Sequence, residues 1–352
     1  MKASAKPPPP PRRSAWASRI CIVAVLALAL AGLSPAVEPA AAAVARPFVG
    51  LQGWAAPGSG GFHRVAQARV GYWRAVVSWA EIERGRGSYD WTSADQLFAR
   101  ASAAGVRVLP VMIGSPTWAA SKPQWPPRGA SERTAYARWV GAAVGRYGPG
   151  GTFWRERPGL GPGPAPTHWQ IWNEPNLPNY WNGRPSARQY GALLRLASRA
   201  ARAASPRVRI VLAGLPESAA GVPIATYLKG LERSRSTRRA YHVVAVHPYA
   251  RNHRGVLGAL DRVKAVLRRY RDTRKATWVT EVGWATGPRR DDRGFVTSEA
   301  GQASRLGSTY RALWRARRRY RLLGAIWFSF QDPALRPGDF DWWAVHTGLL
   351  RT

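Results

Sequence analysis

The sequence predicts an α/β fold, a (β/α)8 barrel, on three observations. Short apolar runs alternate with helical stretches along most of the 352 residues, and eight such strand-plus-helix units can be traced. The runs are apolar on both faces, as strands of a covered parallel sheet must be. The length suits one large barrel, typically about 250 residues, once an N-terminal leader is set aside.

The elements follow in order. Pro47 to Leu51 reads as the first strand, with a short helix over Phe62 to Ala68. Tyr72 to Trp79 is the second strand and carries Arg74 among apolar neighbours. Thr92-Ser93-Ala94-Asp95 opens a helix with a capping-box pattern, and Gly105 stops it. Val106 to Ile113 is the third strand, broken by Gly114-Ser115-Pro116, and Glu132 to Tyr147 is helical. A Gly/Pro-rich connection from Gly148 to Pro166 leads into the Trp169 strand, and Ser186 caps a helix that reaches Ala204. Val208 to Ala213, Val243 to His247, Ala276 to Glu281 and Leu322 to Phe330 are the remaining strands. Helices over Ile224–Glu232, Val256–Tyr270 and Glu299–Tyr320 separate them. After Phe330 the sequence is loop-like, so the eighth helix is expected to be short or missing.

Residues 1–45 read as export machinery: Arg12, Arg13 and Arg19, then an apolar stretch from Ile20 to Leu33, then Ala43-Val44-Ala45 as a cleavage site. That leaves 46–352 as one barrel domain, expected to be secreted or held at the cell surface, with an uncleaved anchor as the alternative. The one cysteine, Cys21, lies inside the leader, which excludes disulfides, thiolate catalysis and cysteine-based zinc sites from the mature chain. A monomer is expected.

The formal net charge of +34 invites a nucleic-acid reading, but arginine is dispersed over predicted helices and no nucleic-acid-binding signature accompanies it. An anionic cell-wall polymer or a membrane surface is the partner that this charge suits better. No cofactor or metal is expected. The six histidines lack zinc spacing, the glycines form neither a dinucleotide fingerprint nor a P-loop, and no G-x-S-x-G elbow is present.

The chemistry sits at strand ends. In His168-Trp169-Gln170-Ile171-Trp172-Asn173-Glu174-Pro175-Asn176 an apolar run stops at a carboxylate, where desolvation should raise its pKa. A second carboxylate, Glu281, ends the strand before Gly283-Trp284. In a (β/α)8 barrel these ends share one face, and two carboxylates there can flank a glycosidic bond. Arg74 suits holding one of them ionised, and Asn173 suits a sugar hydroxyl. His247 and Tyr249 end the sixth predicted strand. His247 reads either as a site residue or as a structural histidine before a turn, and Trp327 either as sugar contact or as core. Trp54, Trp118, Trp181, Trp284 and the pair Trp342-Trp343 fall in predicted loops near that face, where rings can stack on sugars or anchor the rim.

Trp172-Asn173-Glu174-Pro175-Asn176, His247-Pro248-Tyr249 and Thr280-Glu281-Val282-Gly283-Trp284 together resemble the retaining glycoside hydrolases of clan A. The likeness is strongest to the family 39 and family 5 groups, which include cellulase-like and xylosidase-like proteins. Trp79 to Glu83 and Gly87 to Trp91 resemble their segment after strand two, while Gly114-Ser115-Pro116 departs from the histidine often found near strand three in family 5. The resemblance implies Glu174 as acid/base and Glu281 as nucleophile, with an oligo- or polysaccharide substrate. A transglycosylase using the same residues, and a non-catalytic barrel binding an anionic glycan, are the alternatives.

Overall fold

Nine strand segments fill eight positions around a closed parallel barrel. The computed structural model describes residues 48–160, 165–287 and 294–351, so the leader expected at 1–45 lies outside the described residues. The strands are β1 (Val49–Gln52), β2 (Tyr72–Ser78), β3 (Arg107–Ile113), β4 (His168–Ile171), β5 (Arg209–Val211), β6 (Leu215–Pro216), β7 (Val243–His247), β8 (Ala276–Val282) and β9 (Leu322–Phe328). Their order is β5-β4-β3-β2-β1-β9-β8-β7-β6, and Val211 of β5 pairs with Val243 of β7 to close the cylinder. β5 and β6 divide the position expected to hold one strand, with Gly214 bridging to Asn173 between them.

The longer helices are α1 (Ser59–Gln67), α3 (Thr92–Ala103), α4 (Ala130–Tyr147), α6 (Ala187–Ala204), α7 (Ile224–Glu232), α9 (His253–Arg269) and α10 (Glu299–Tyr320). Single turns α2 (Trp79–Ile82), α5 (Thr152–Arg155) and α8 (Arg235–Arg238) sit in the connections. Ser186 caps α6 as expected, accepting from the backbone N–H of Gln189. The box expected at Thr92 does not form: the Asp95 carboxylate is drawn to Arg146 (Nη2 at 2.6 Å) and the Tyr147 hydroxyl instead. Beyond β9 the described chain has only a 3-10 turn at Trp343–His346, so seven long helices surround the barrel.

Two apolar layers follow from strand alternation. Inward-facing Leu109, Val211, Val243, Ala245, Trp278 and Ile326 fill the barrel, with Tyr72 packed edge-on to Trp278 at 5.0 Å. Outward-facing side chains join the helices in a much larger layer that includes Trp73, Trp139, Trp169 and Leu228. A fully buried indole removes roughly 150–250 Å² from water, about 4–6 kcal/mol gross at 25 cal/mol per Å². That is an upper figure, because the unfolded chain already hides part of the surface.

Candidate active site

The site is assembled by side chains that the strands point into the barrel mouth. On β2 the inward series is Tyr72, Arg74 and Val76. Arg74 is buried, whereas Val76 is 57% exposed, which marks where the filled core ends and the open mouth begins. On β7 the series is Val243, Ala245, His247, which brings the histidine to the top.

Both strands that carry the carboxylates break the alternation, and Glu281 reaches the mouth only because of it. Trp172 adopts φ 70° and Glu174 φ 44°, left-handed values that are costly for side chains with a Cβ. This twist sends Trp172 outward against Tyr136 and Trp181, and lets Asn173 turn in to meet Arg74. On β8, strict alternation from Ala276 and Trp278 would put Glu281 on the outer face. The β8–β9 register shifts between Val279 and Val282, so β8 holds an extra residue and Glu281 is re-aimed inward.

The Arg74 guanidinium organises the floor. It donates from Nη1 to Glu281 Oε1 at 2.5 Å and also to Gln52. Nε donates to Gln170 Oε1 at 2.9 Å, and Nη2 to Asn173 Oδ1 at 2.7 Å. The Tyr249 hydroxyl donates to Glu281 Oε2 at 2.8 Å. His247 Nδ1 lies 2.7 Å from Glu174 Oε1 and 3.5 Å from Glu281 Oε2. The opposite ring nitrogen of His247 is buried without a hydrogen-bond partner, and it packs on Gly214, where a Cβ would sit 1.9 Å from it. Nδ1 therefore carries the proton toward Glu174 when the ring is neutral.

The two carboxyls are pushed in opposite directions. Burial raises Glu174 above the ordinary carboxylate value, and the Glu281 charge adds to that against the opposing His247 and Arg74. Burial also opposes ionisation of Glu281, but His247, the Arg74 charge and the hydrogen bonds from Tyr249 and Arg74 outweigh it, so its pKa is lowered. One ligand atom each from Glu174, His247 and Glu281 all fall within 4.8 Å of one another. That spacing is also open to a cation, but the Arg74 guanidinium already supplies positive charge beside Glu281.

The structure thus brings together Glu174, Glu281, Arg74, Asn173, His247 and Tyr249. His247 is fully buried, so it acts on Glu174 and the expected direct contact with substrate gives way. The tryptophans need a larger correction. Trp181, Trp284 and Trp327 are 3%, 0% and 1% exposed, with their indole N–H groups bonded to Gln189, the Ala250 carbonyl and the Thr347 carbonyl. None presents a face for a sugar; they are core. Trp118 is half-buried, bonded to the Glu83 carbonyl and edge-on to Trp79. The loop aromatic that does flank the site is Trp343, 5.0 Å from the Tyr249 ring, with the more exposed Trp342 beyond it. Gln52, Gln170 and Tyr180 were not anticipated. The signal for the glutamines was an uncharged polar residue within a barrel strand, and Tyr180 lies near Asn173 in the loop after β4.

Comparison with known proteins agrees with this architecture. The model of the glycoside hydrolase 42 family, described as Beta-galactosidase, matches residues 59–138. No curated protein matches the chain. Among solved structures, a family 39 glycoside hydrolase from Bacteroides cellulosilyticus WH2 superposes with TM-score 0.64 at 20% identity, covering 88% of this chain and 61% of that one. A GH5_18 enzyme from Streptomyces cattleya, solved with Manb1-4GlcNAc, gives 0.64 at 17%, covering 87% and 76%. A monomeric β-xylosidase from Caulobacter crescentus CB15 gives 0.55 at 17%, covering 86% and 64%. The chain therefore spans less than two thirds of the length of the Bacteroides and Caulobacter proteins. In fold, as in its strand-end motifs, the chain resembles the clan A glycoside hydrolases of the family 39 and family 5 groups.

Proposed function

We propose that the chain is an exported retaining β-glycosidase acting on O-glycosidic bonds of an extracellular oligo- or polysaccharide. The observation that carries the reading is the carboxyl pair: an oxygen of one lies within 4.8 Å of an oxygen of the other, and one group is driven toward its protonated form and the other toward its ionised form. Retaining chemistry needs carboxyls about 5–5.5 Å apart, whereas inversion needs about 6.5–9.5 Å to admit a water between them.

Glu281 attacks the anomeric carbon as the bond to the leaving oxygen breaks, and the Glu174 proton goes to that oxygen. Water then enters, gives a proton to the Glu174 carboxylate and displaces Glu281 from the sugar. Arg74 and Tyr249 keep Glu281 ionised and oriented, while His247 orients Glu174. Asn173, its carbonyl oxygen held by Arg74, has amide N–H groups suited to a sugar hydroxyl. Residues 1–45 serve as the export signal, removed or retained as an anchor.

The test uses aryl β-glycosides and polysaccharides with the wild type, Glu174→Gln and Glu281→Gln, following the anomer first released by NMR. Loss of nearly all turnover in both variants, with the β-anomer appearing first, supports the reading. Release of the α-anomer first, or turnover that survives Glu281→Gln, overturns it.

A further inference from the structure

A second concavity lies on the rim of the same barrel face, formed by the β3–α4 loop, the β4–α6 loop and the helices that follow them. It has a volume of about 620 Å³, and its walls include Arg128, Arg133, Arg184, Arg188 and Arg195, with Trp181 among its lining residues. No acidic residue lines it among the described residues. Some arginines elsewhere are matched to carboxylates, as Arg146 and Arg157 are by Asp95, and Arg351 by Asp332. None of the five has a carboxylate within 4 Å among the described residues. Arg133 donates to the Arg128 carbonyl and Arg195 to Thr237.

Five like charges around one hollow repel one another, and the low-dielectric wall concentrates their field. An anion bound there relieves that repulsion, and the planar guanidinium matches carboxylate, sulfate or phosphate oxygens two at a time. The volume falls within the roughly 300–1,000 Å³ typical of ligand sites. The Asn182 and Arg184 part of the wall belongs to the loop that begins at Glu174, the group that protonates the departing part of the substrate.

We propose that this arginine-lined cleft binds the acidic groups of an anionic glycan, on the Glu174 side of the catalytic pair. The proposal rests on the glycosidase reading for its place in a substrate path, but the cleft's binding is measurable without turnover.

The experiment titrates the full chain carrying Glu281→Gln with fluorescent oligogalacturonate, its methyl ester and inorganic polyphosphate, at a salt concentration near 0.15 M, where the Debye length is about 8 Å. Two triple variants are compared, Arg128→Ala/Arg184→Ala/Arg188→Ala in the cleft and Arg311→Ala/Arg315→Ala/Arg318→Ala on α10. All six side chains are exposed, so both variants are expected to fold. The expected result is oligogalacturonate binding that weakens about tenfold or more in the cleft variant and less than about twofold in the α10 variant, with little binding of the ester. Equal losses in the two variants would assign the affinity to diffuse charge and overturn the proposal, as would undiminished binding of the ester. Polyphosphate binding as tight as oligogalacturonate, with the same dependence on the cleft, would overturn the saccharide assignment. If the cleft binds as expected while the wild type hydrolyses no glycoside, the glycosidase reading fails alone.

Discussion

Arg74 spans the barrel floor to Glu281, Nη1 to Oε1 at 2.5 Å, with both side chains nearly excluded from water. A buried pair of this kind is weak evidence for stability but strong evidence for dependence, since removing one partner strands the other. Arg74→Met should cost about 3–5 kcal/mol and unfold at lower denaturant. The double variant Arg74→Met/Glu281→Gln should recover much of that loss without recovering turnover. Urea titrations of the three proteins check this; a double variant no more stable than Arg74→Met alone would show that the pair is not the source of the cost.

The opposed carboxyl shifts fix the sign of the pH dependence. Activity should fall at low pH as Glu281 takes a proton, below the ordinary carboxylate range of about 4.3. It should fall at high pH as Glu174 loses its proton, above that range, and Glu174→Gln should remove this alkaline limb from whatever turnover remains on aryl glycosides with good leaving groups.

Stability follows the same signs. Glu281 contributes stability above its unfolded pKa, and that contribution is lost as pH falls through its lowered folded value. Glu174 behaves in the reverse sense: its folded pKa is raised, so its ionisation costs stability as pH rises through that value. Glu174→Gln should therefore be more stable than wild type at alkaline pH, while Glu281→Gln is less stable. Thermal unfolding of the three at pH 5 and pH 8.5 checks the crossing.

Gly214 leaves room for the His247 ring, and Gly214→Ala places a methyl group where that ring now lies. With His247 displaced, Glu174 loses a contact that lowers its pKa and Glu281 loses a favourable charge. Both limbs of the pH profile should move upward, and kcat should fall about 10²-fold or more, on the scale of a lost oriented hydrogen bond. A drop in kcat with an unmoved profile would mean that the histidine is not what ties the glycine to activity.

Trp284 and Trp327 pack against each other with centroids 5.9 Å apart. Their substitution by Ala should show as about 3–5 kcal/mol of lost stability for each, the cost of a large hole in a core. A KM effect in a variant of unchanged stability would instead restore the sugar-stacking role.

The barrel and its carboxylate pair were legible because their signals are local. An apolar run cut off by Asn173-Glu174-Pro175 marks a strand end wherever it occurs, and the strand order then gathers such ends on one face. What the sequence concealed was phase and cover. The extra residue in β8 and the left-handed turn at Trp172 each reverse which way a side chain points, and neither leaves a compositional trace. Trp284 read as a loop residue near the mouth and Trp327 as either sugar contact or core; both prove to be core, with the return segment around Thr347 bonded to the Trp327 indole. Arg74 was anticipated as the partner of a carboxylate, but its hold on Gln52 and Gln170 depends on cross-barrel register, which no single strand records.

The closing ladder has a consequence for how the protein is born. Val49 of the first strand pairs with Ala325 of the last, so this seam waits until nearly every other strand exists. Contacts so distant along the chain form slowly, and during synthesis β1 must remain an open edge beside β2. Glu174 and Glu281 both lie within the stretch of sequence that this seam closes, and Arg74 meets Glu281 and Asn173 only across the finished cylinder. Hydrolysis by a nascent or refolding chain would therefore register the moment of circular closure, a built-in clock for the final step of folding.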